Sequence, residues 1–212
     1  MSLAEKDDLH FDVSTGLKRV LGRELITDDE VAIFELVKNS FDAGADSVRL
    51  YFGVDTIVIA DNGSGMSYED LTGKWLFVAF SSKRSDRPAD DFRNVAAERR
   101  HYAGSKGIGR FSSDRLGEEV VLQSRPRGKA KTVHRLTVDW ELFEKDAKEH
   151  FEKVPVRYAE QGAFELPAEL DEFKSTLKHG TVVTIQRLRR PWSRQRILDL
   201  KASLAKLINP FG

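Results

Sequence analysis

Two glycine clusters constrain this chain more than any other feature. Asp61-Asn62-Gly63-Ser64-Gly65-Met66 closes an apolar run, Ile57-Val58-Ile59-Ala60. Gly104-Ser105-Lys106-Gly107-Ile108-Gly109 leads into Arg110 and Phe111. Glycine carries no Cβ, so such segments let the backbone turn sharply or pass close to another group. One cluster sits where a strand ends and the other where a helix begins.

The remaining signals fill in those elements. Residues 14–22 read as a short helix, with Ser14 as cap, Leu17, Val20 and Leu21 at helical spacing, and Gly22 as stop. Thr27-Asp28-Asp29-Glu30 reads as a capping box for a helix to Ala43, with Gly44 as its left-handed C-cap. Ser47–Phe52 and Thr56–Ala60 read as a hairpin around Gly53-Val54-Asp55. Ser67 with Asp70 caps a short helix through Trp75, and a further helix runs from Arg110 to Leu116. Glu119–Gln123, Thr132–Val138, Val154–Tyr158 and Thr181–Gln186 read as strands. Asp139 caps a short helix, and Ser193 begins a last one with Ile197, Leu200, Leu204 and Leu207 on one face. This order predicts an α/β (α+β) two-layer sandwich within a single domain, 1–212: helices on one face of a mixed, mostly antiparallel sheet.

Composition narrows the function classes. Lys+Arg and Asp+Glu are both 34 in 212 residues, so overall charge gives no reason for a nucleic acid or membrane partner. There is no cysteine, which excludes a disulfide framework, a thiolate metal site and a cysteine nucleophile. The N-terminus has no signal-peptide pattern, and no window resembles a transmembrane helix, so the expectation is a cytoplasmic protein.

Three motifs carry chemistry. Glu35, Asn39 and Asp42 share one polar face of the helix, with Ile33, Phe34, Leu36, Val37 and Phe41 on the other side. A carboxylate can deprotonate a water, and an amide oxygen one turn on is a hard ligand suited to Mg²⁺. The same stripe also suits an ordinary solvated helix face. Asp61, at a strand end, can accept from an exocyclic amine, and the glycines after it would admit a flat ring; a plain tight turn has the same letters. In the second cluster, three glycines free backbone N–H groups for an anion at a helix start, and Lys106 and Arg110 add charge; a flexible hinge is the alternative. Between the clusters lies a polar stretch, 81–103, with little apolar periodicity.

Together these segments resemble the GHKL superfamily of ATPases: gyrase, the ninety-kilodalton heat-shock chaperones, histidine kinases and MutL, with their Bergerat fold. Glu35 to Ala43 resembles the family's N-box, Asp61 to Met66 its adenine motif, Gly104 to Gly109 its phosphate loop, and His179-Gly180-Thr181 its late Gly-Thr motif. The resemblance implies ATP/ADP and Mg²⁺ as ligands, with Glu35 as general base and Asn39 as the Mg²⁺ ligand. Asp61 would read the adenine amine, helped by a water that Thr181 also binds. Gly63 and Gly65 would let the ring approach, and Met66 would cover it. Gly104, Lys106, Gly107, Ile108, Gly109, Arg110 and Phe111 would hold phosphates, and Lys83 is a further phosphate candidate. Residues 81–103 would be the ATP lid, and 187–212 a basic segment and helix leading to a further domain.

The segment Lys106 to Gly117 is most similar to bacterial chaperone-like or MutL-like members. Histidine kinases of the family generally lack the base at Glu35, which favours hydrolysis; a kinase or a non-hydrolysing sensor remains an alternative. Hydrolysing members usually take a γ-phosphate cation from a following domain and dimerise on ATP, so a homodimer is expected of the full protein. Finally, Arg187, Arg189, Arg190, Arg194 and Arg196 could contact DNA, or pair with nearby acids.

Overall fold

A computed structural model describes residues 15–19, 21, 26, 28–76, 111–145 and 150–208. The expectations for Ser14, Gly22, Thr27, the 81–103 lid, Lys83 and the 104–110 phosphate loop lie outside these residues, as does the side chain of Leu207.

A short helix α1 (Gly16–Arg19) precedes α2 (Asp29–Asp42). Asp28 caps α2, its carboxylate accepting the N–H groups of Glu30 and Val31, and Asp29 and Glu30 lie in the first turn where the helix dipole favours acids. β1 (Val48–Phe52) and β2 (Thr56–Asp61) form the expected hairpin. Ser67 and Asp70 make the expected reciprocal cap on α3 (Tyr68–Asp70), which continues as a π-helical turn, Leu71–Trp75. Then come α4 (Ser112–Leu116), β3 (Gly117–Arg125), β4 (Val133–Asp139) and the 3-10 turn Trp140–Phe143, capped by Asp139 as expected. β5 (Arg157–Gln161), α5 (Asp171–Thr176), β6 (Gly180–Leu188) and α6 (Arg194–Ile208) complete the order.

The six strands form one sheet in the order β1-β2-β6-β3-β4-β5, antiparallel at every pairing. The α/β sandwich is therefore as expected, with no parallel pair among the described strands. Alternation along β2 shows how the layers stack. Ile57 and Ile59 join Ile33, Leu36 and Val37 of α2, Phe111, Trp140 and Leu200 of α6 in the main core. Val58 and Ala60 point the other way, onto Phe164 and Leu177, with Leu166, Leu170 and Phe173 beside them. The second face is thus covered by the segment around α5, which the sequence reading did not foresee.

β5 also differs from its expected place. Val154 and Val156 turn into the core, and the edge strand forms from the more polar Arg157–Gln161. An exposed edge tolerates such residues because only one side of the strand is paired.

Candidate functional site

β2 ends on Asp61, and this residue organises the site. Its side chain is buried, at 5% exposure. Oδ1 accepts the N–H of Gly63 at 2.8 Å and of Thr181 at 3.3 Å, while Oδ2 accepts the Ser40 hydroxyl at 2.9 Å. One carboxylate thereby ties α2, the first glycine turn and β6 together. Burial pushes its pKa above the usual Asp value, opposed by the hydrogen bonds from Gly63, Ser40 and Thr181 and by the charge of His179.

The glycine turn is held by its own contacts. Asn62 Oδ1 accepts the N–H groups of Asp46 and Ser47 at 3.0 and 2.9 Å. Gly65 has φ +64°, and a Cβ there would lie 1.9 Å from the carbonyl oxygen of Arg125. Gly180 has φ +128°, and its Cβ would lie 1.9 Å from the carbonyl oxygen of Asp61. Neither position can carry a side chain. The sequence reading gave Gly65 to the approach of a ring; the close backbone crossing supplies a packing reason of its own. Gly63 is milder, with a Cβ meeting Ala43 and Asp61 Oδ1 at 3.0 Å.

Three residues here were given no role of their own from sequence. Ser40, one position after Asn39, is buried on Asp61. His179, which opens the expected Gly-Thr motif, bonds Gly63 O through Nδ1 at 2.7 Å; a carbonyl only accepts, so Nδ1 carries the proton. Ser124 is fully buried: its Oγ receives the Met66 N–H at 2.8 Å and lies 3.1 Å from both Gly180 O and Thr181 Oγ1. A polar residue at an inward position late in β3 was the available signal for Ser124. Proximity to the two motifs was the signal for the others.

The helix stripe is less uniform than expected. Glu35 is buried at 7% exposure, whereas Asn39 and Asp42 are exposed. Phe41, expected on the apolar side, is 61% exposed. Burial sets Glu35 apart from an ordinary solvated face, while Asn39 and Asp42 keep the exposure of one. Met66 is half-buried against the cluster of Leu71, Leu122 and Leu136. Phe111 is buried, with ring contacts to Trp140 at 5.7 Å and Phe151 at 6.2 Å, and anchors the start of α4. α4 is bound to α2 through Arg115 Nε and Asp29 Oδ1 at 2.9 Å.

Asp61, Gly63, Gly65, Met66 and Thr181 are thus brought to one end of the sheet, joined through Ser40 to the helix that carries Glu35 and Asn39. No group of three His, Asp or Glu able to hold a metal occurs among the described residues. A lone amide oxygen such as that of Asn39 fits Mg²⁺, which takes one or two protein oxygens and completes its shell with phosphate and water. It does not fit a metal needing an all-protein cage.

The arginine run is largely engaged. Arg187 lies 3.1 Å from Asp139 and 3.0 Å from Glu141, Arg189 lies 3.0 Å from Asp114 and 3.4 Å from Glu144, and Arg196 lies 2.9 Å from Asp29. Arg196 also sits over the Trp192 ring, 4.1 Å from its centroid. Pairing with local acids is therefore what the structure shows for these three. No helix among the described residues is long and apolar enough to cross a membrane.

An antiparallel sheet roofed by α2, with a buried aspartate at the glycine turn beside that helix, is the framework of a nucleotide-binding domain of the Bergerat type. Residues 26–181 match the family described as histidine kinase-, DNA gyrase B- and HSP90-like ATPase, and the chain belongs to that family. Membership supports ATP binding. The chain is 40% identical over 75 residues to a candidate type II restriction enzyme, HgiDII, of Herpetosiphon aurantiacus, covering 35% of this chain and 11% of that protein. It is 32% identical over 124 residues to the DNA mismatch repair protein MutL of Halobacterium salinarum, covering 57% and 18%. It is 28% identical over 154 residues to the chaperone protein HtpG of Chromobacterium violaceum, covering 61% and 24%. The chain thus spans a quarter or less of the length of these relatives.

Proposed function

We propose that this chain binds Mg²⁺·ATP and hydrolyses it slowly, as the ATPase module of a larger protein whose output is closure of the 81–103 lid and dimerisation. The observation that carries the reading is Asp61, a buried carboxylate at the mouth of a glycine turn that accepts hydrogen bonds from Ser40, Gly63 and Thr181. Such a group stays in place without a ligand. It keeps lone-pair capacity on Oδ2 for an amine, since a carboxylate offers about four acceptor sites.

Glu35, one helical turn before Asn39, would take the proton of the attacking water. Its burial strengthens the interaction with that proton by excluding solvent. Asn39 would hold Mg²⁺ through its amide oxygen; the ion, when bound, offsets the charge of the triphosphate. Residues 104–111, leading directly into α4, would supply backbone N–H groups to the phosphates. MutL and HtpG bear names from different processes, mismatch repair and chaperoning, and each aligns with part of this chain, which itself matches the ATPase family; ATP is therefore the element taken over here.

The test is phosphate release and ATP binding by the purified chain. Glu35→Ala is expected to bind ATP and lose hydrolysis, and Asn39→Ala to lose Mg²⁺-dependent binding. Wild-type turnover is expected well below the usual enzyme median of about 10 s⁻¹. Equal phosphate release by wild type and Glu35→Ala would remove Glu35 as the base and leave a nucleotide sensor.

A further inference from the structure

The hydroxyl protons behind the turn can be counted. Ser124 has one proton and three polar neighbours. The Met66 N–H can only donate to it, at 2.8 Å, and the Gly180 carbonyl can only accept from it, at 3.1 Å. The third neighbour, Thr181 Oγ1 at 3.1 Å, can do either. Once the Ser124 proton goes to Gly180, the Thr181 hydroxyl must donate to Ser124. Its proton then points into the sheet, and its lone pairs are left for whatever lies outside. Ser124 is fully buried, so no water competes for these positions, whereas Thr181 is partly exposed.

The neighbouring groups add the same sign. Asp61 can only accept, and the nearby donors, Gly63 N–H, Thr181 N–H and the Ser40 hydroxyl, are already turned onto it. The Met66 N–H is turned onto Ser124, and the His179 Nδ1 proton onto Gly63 O. Among the described residues around Asp61 Oδ2 and Thr181 Oγ1, these donors are turned inward while the two oxygens keep acceptor capacity. Acceptors facing the 6-position of a purine bind an exocyclic amine and leave an exocyclic carbonyl oxygen without a partner. Sites built this way discriminate strongly, because a mismatched buried polar group loses its water and gains nothing.

We infer that Ser124 is a specificity-determining positioning residue: by holding the Thr181 proton inward, it makes the site select purine nucleotides with a 6-amino group over those with a 6-oxo group. The inference rests on the nucleotide reading above, and it makes one demand that holds without any nucleotide.

That demand is tested first. In the nucleotide-free protein, the Thr181 hydroxyl proton is buried against Ser124 and exchanges slowly with water. NMR is expected to show it as a discrete resonance with a cross-peak to the Met66 amide proton, lost in Ser124→Ala. A Thr181 hydroxyl in fast exchange, or with contacts pointing away from Ser124, overturns the inference whether or not nucleotide binds.

The second arm is calorimetric binding of ATP and of inosine triphosphate, which replaces the 6-amino group by a 6-oxo group. Wild type is expected to prefer ATP. Ser124→Ala frees the Thr181 hydroxyl to rotate, and the preference is expected to fall roughly tenfold, mainly through tighter inosine triphosphate binding. Thr181→Val keeps the shape but removes the hydroxyl; it is expected to weaken ATP without strengthening the 6-oxo nucleotide, which supplies an independent check if Ser124→Ala folds poorly. An unchanged ratio in a folded Ser124→Ala protein, or a gain of 6-oxo binding in Thr181→Val, overturns the inference. Failure of wild type to bind either nucleotide sinks the proposed function instead, and the NMR arm still decides the proton's direction.

Discussion

The two ends of β6 solve opposite problems. At its start, Gly180 and Thr181 close on Asp61 through backbone N–H groups, hydroxyls and a carbonyl crossing, with a single buried charge at the centre. At its end, Arg187 and Arg189 reach Glu118, Asp139, Glu141, Asp114 and Glu144 through ion pairs, most of them partly open to water. The first end depends on atoms being absent, the Cβ of Gly180 above all. The second depends on charges being present. Rigid, short-range contacts suit a surface that must recognise one chemical group. Long, flexible charged side chains suit a joint that fastens β6 to α4 and the Trp140–Phe143 turn.

The comparison can be broken from either end. The largest effect is expected at Gly180. Gly180→Ala meets Asp61 O at 1.9 Å and forces an L-residue to φ +128°, so the loss should exceed about 3 kcal/mol and leave little folded protein in a urea titration. Next is Arg189→Ala, which strips the fully buried Asp114 of a guanidinium; a loss of about 2–4 kcal/mol is expected by the same titration.

Asp61→Asn is expected to be gentler on stability and severe for function. An asparagine can keep Oδ1 as acceptor for Gly63 and Thr181 and turn its amide N–H toward Ser40 Oγ, so the fold persists while ATP affinity drops more than about tenfold. The pH dependence follows from the raised pKa of Asp61. Below the ordinary aspartate value the group is neutral in both states and carries no penalty. As pH rises from that value through the raised one, the unfolded chain ionises first and wild-type stability is lost. The asparagine variant lacks this loss, so its stability relative to wild type should grow across that window and then level off. A constant difference at every pH would show that Asp61 does not titrate this way.

The smallest effect is expected at Arg187, which holds φ +53° with its side chain 40% exposed. Arg187→Gly removes ion pairs but relaxes the backbone, and a net change within about 1 kcal/mol is expected in thermal melts.

Much of this was legible in the sequence. The β1–β2 hairpin, the Ser67–Asp70 cap and the Asp139 cap rest on local chemistry, and each forms where the residues predict. Gly65 and Gly180 were legible because few residue types tolerate their backbone geometry. The exposure of Phe41 and the shift of β5 were not. Both depend on which neighbours arrive from distant segments, and periodicity within one element does not carry that. The cover over the second face escaped for a related reason. Phe164, Leu166, Leu170, Phe173 and Leu177 are spread over turns, a 3-10 turn and a six-residue helix, so no single period links them. Ser124 escaped because the strand was expected to end at Gln123, and its three partners converge on it only in the fold.

The cladding of β2 on both faces has a consequence for time as well as for space. From Ile57 to Asp61 every residue of that strand is buried, under α2 on one side and the Phe164–Leu177 segment on the other. Its amide hydrogens can trade with solvent deuterium only when the layers part, which for such a strand means opening the whole domain. The platform beneath Asp61 should therefore hold its hydrogens longest of all, and the lifetime of the recognition surface is the lifetime of the folded molecule.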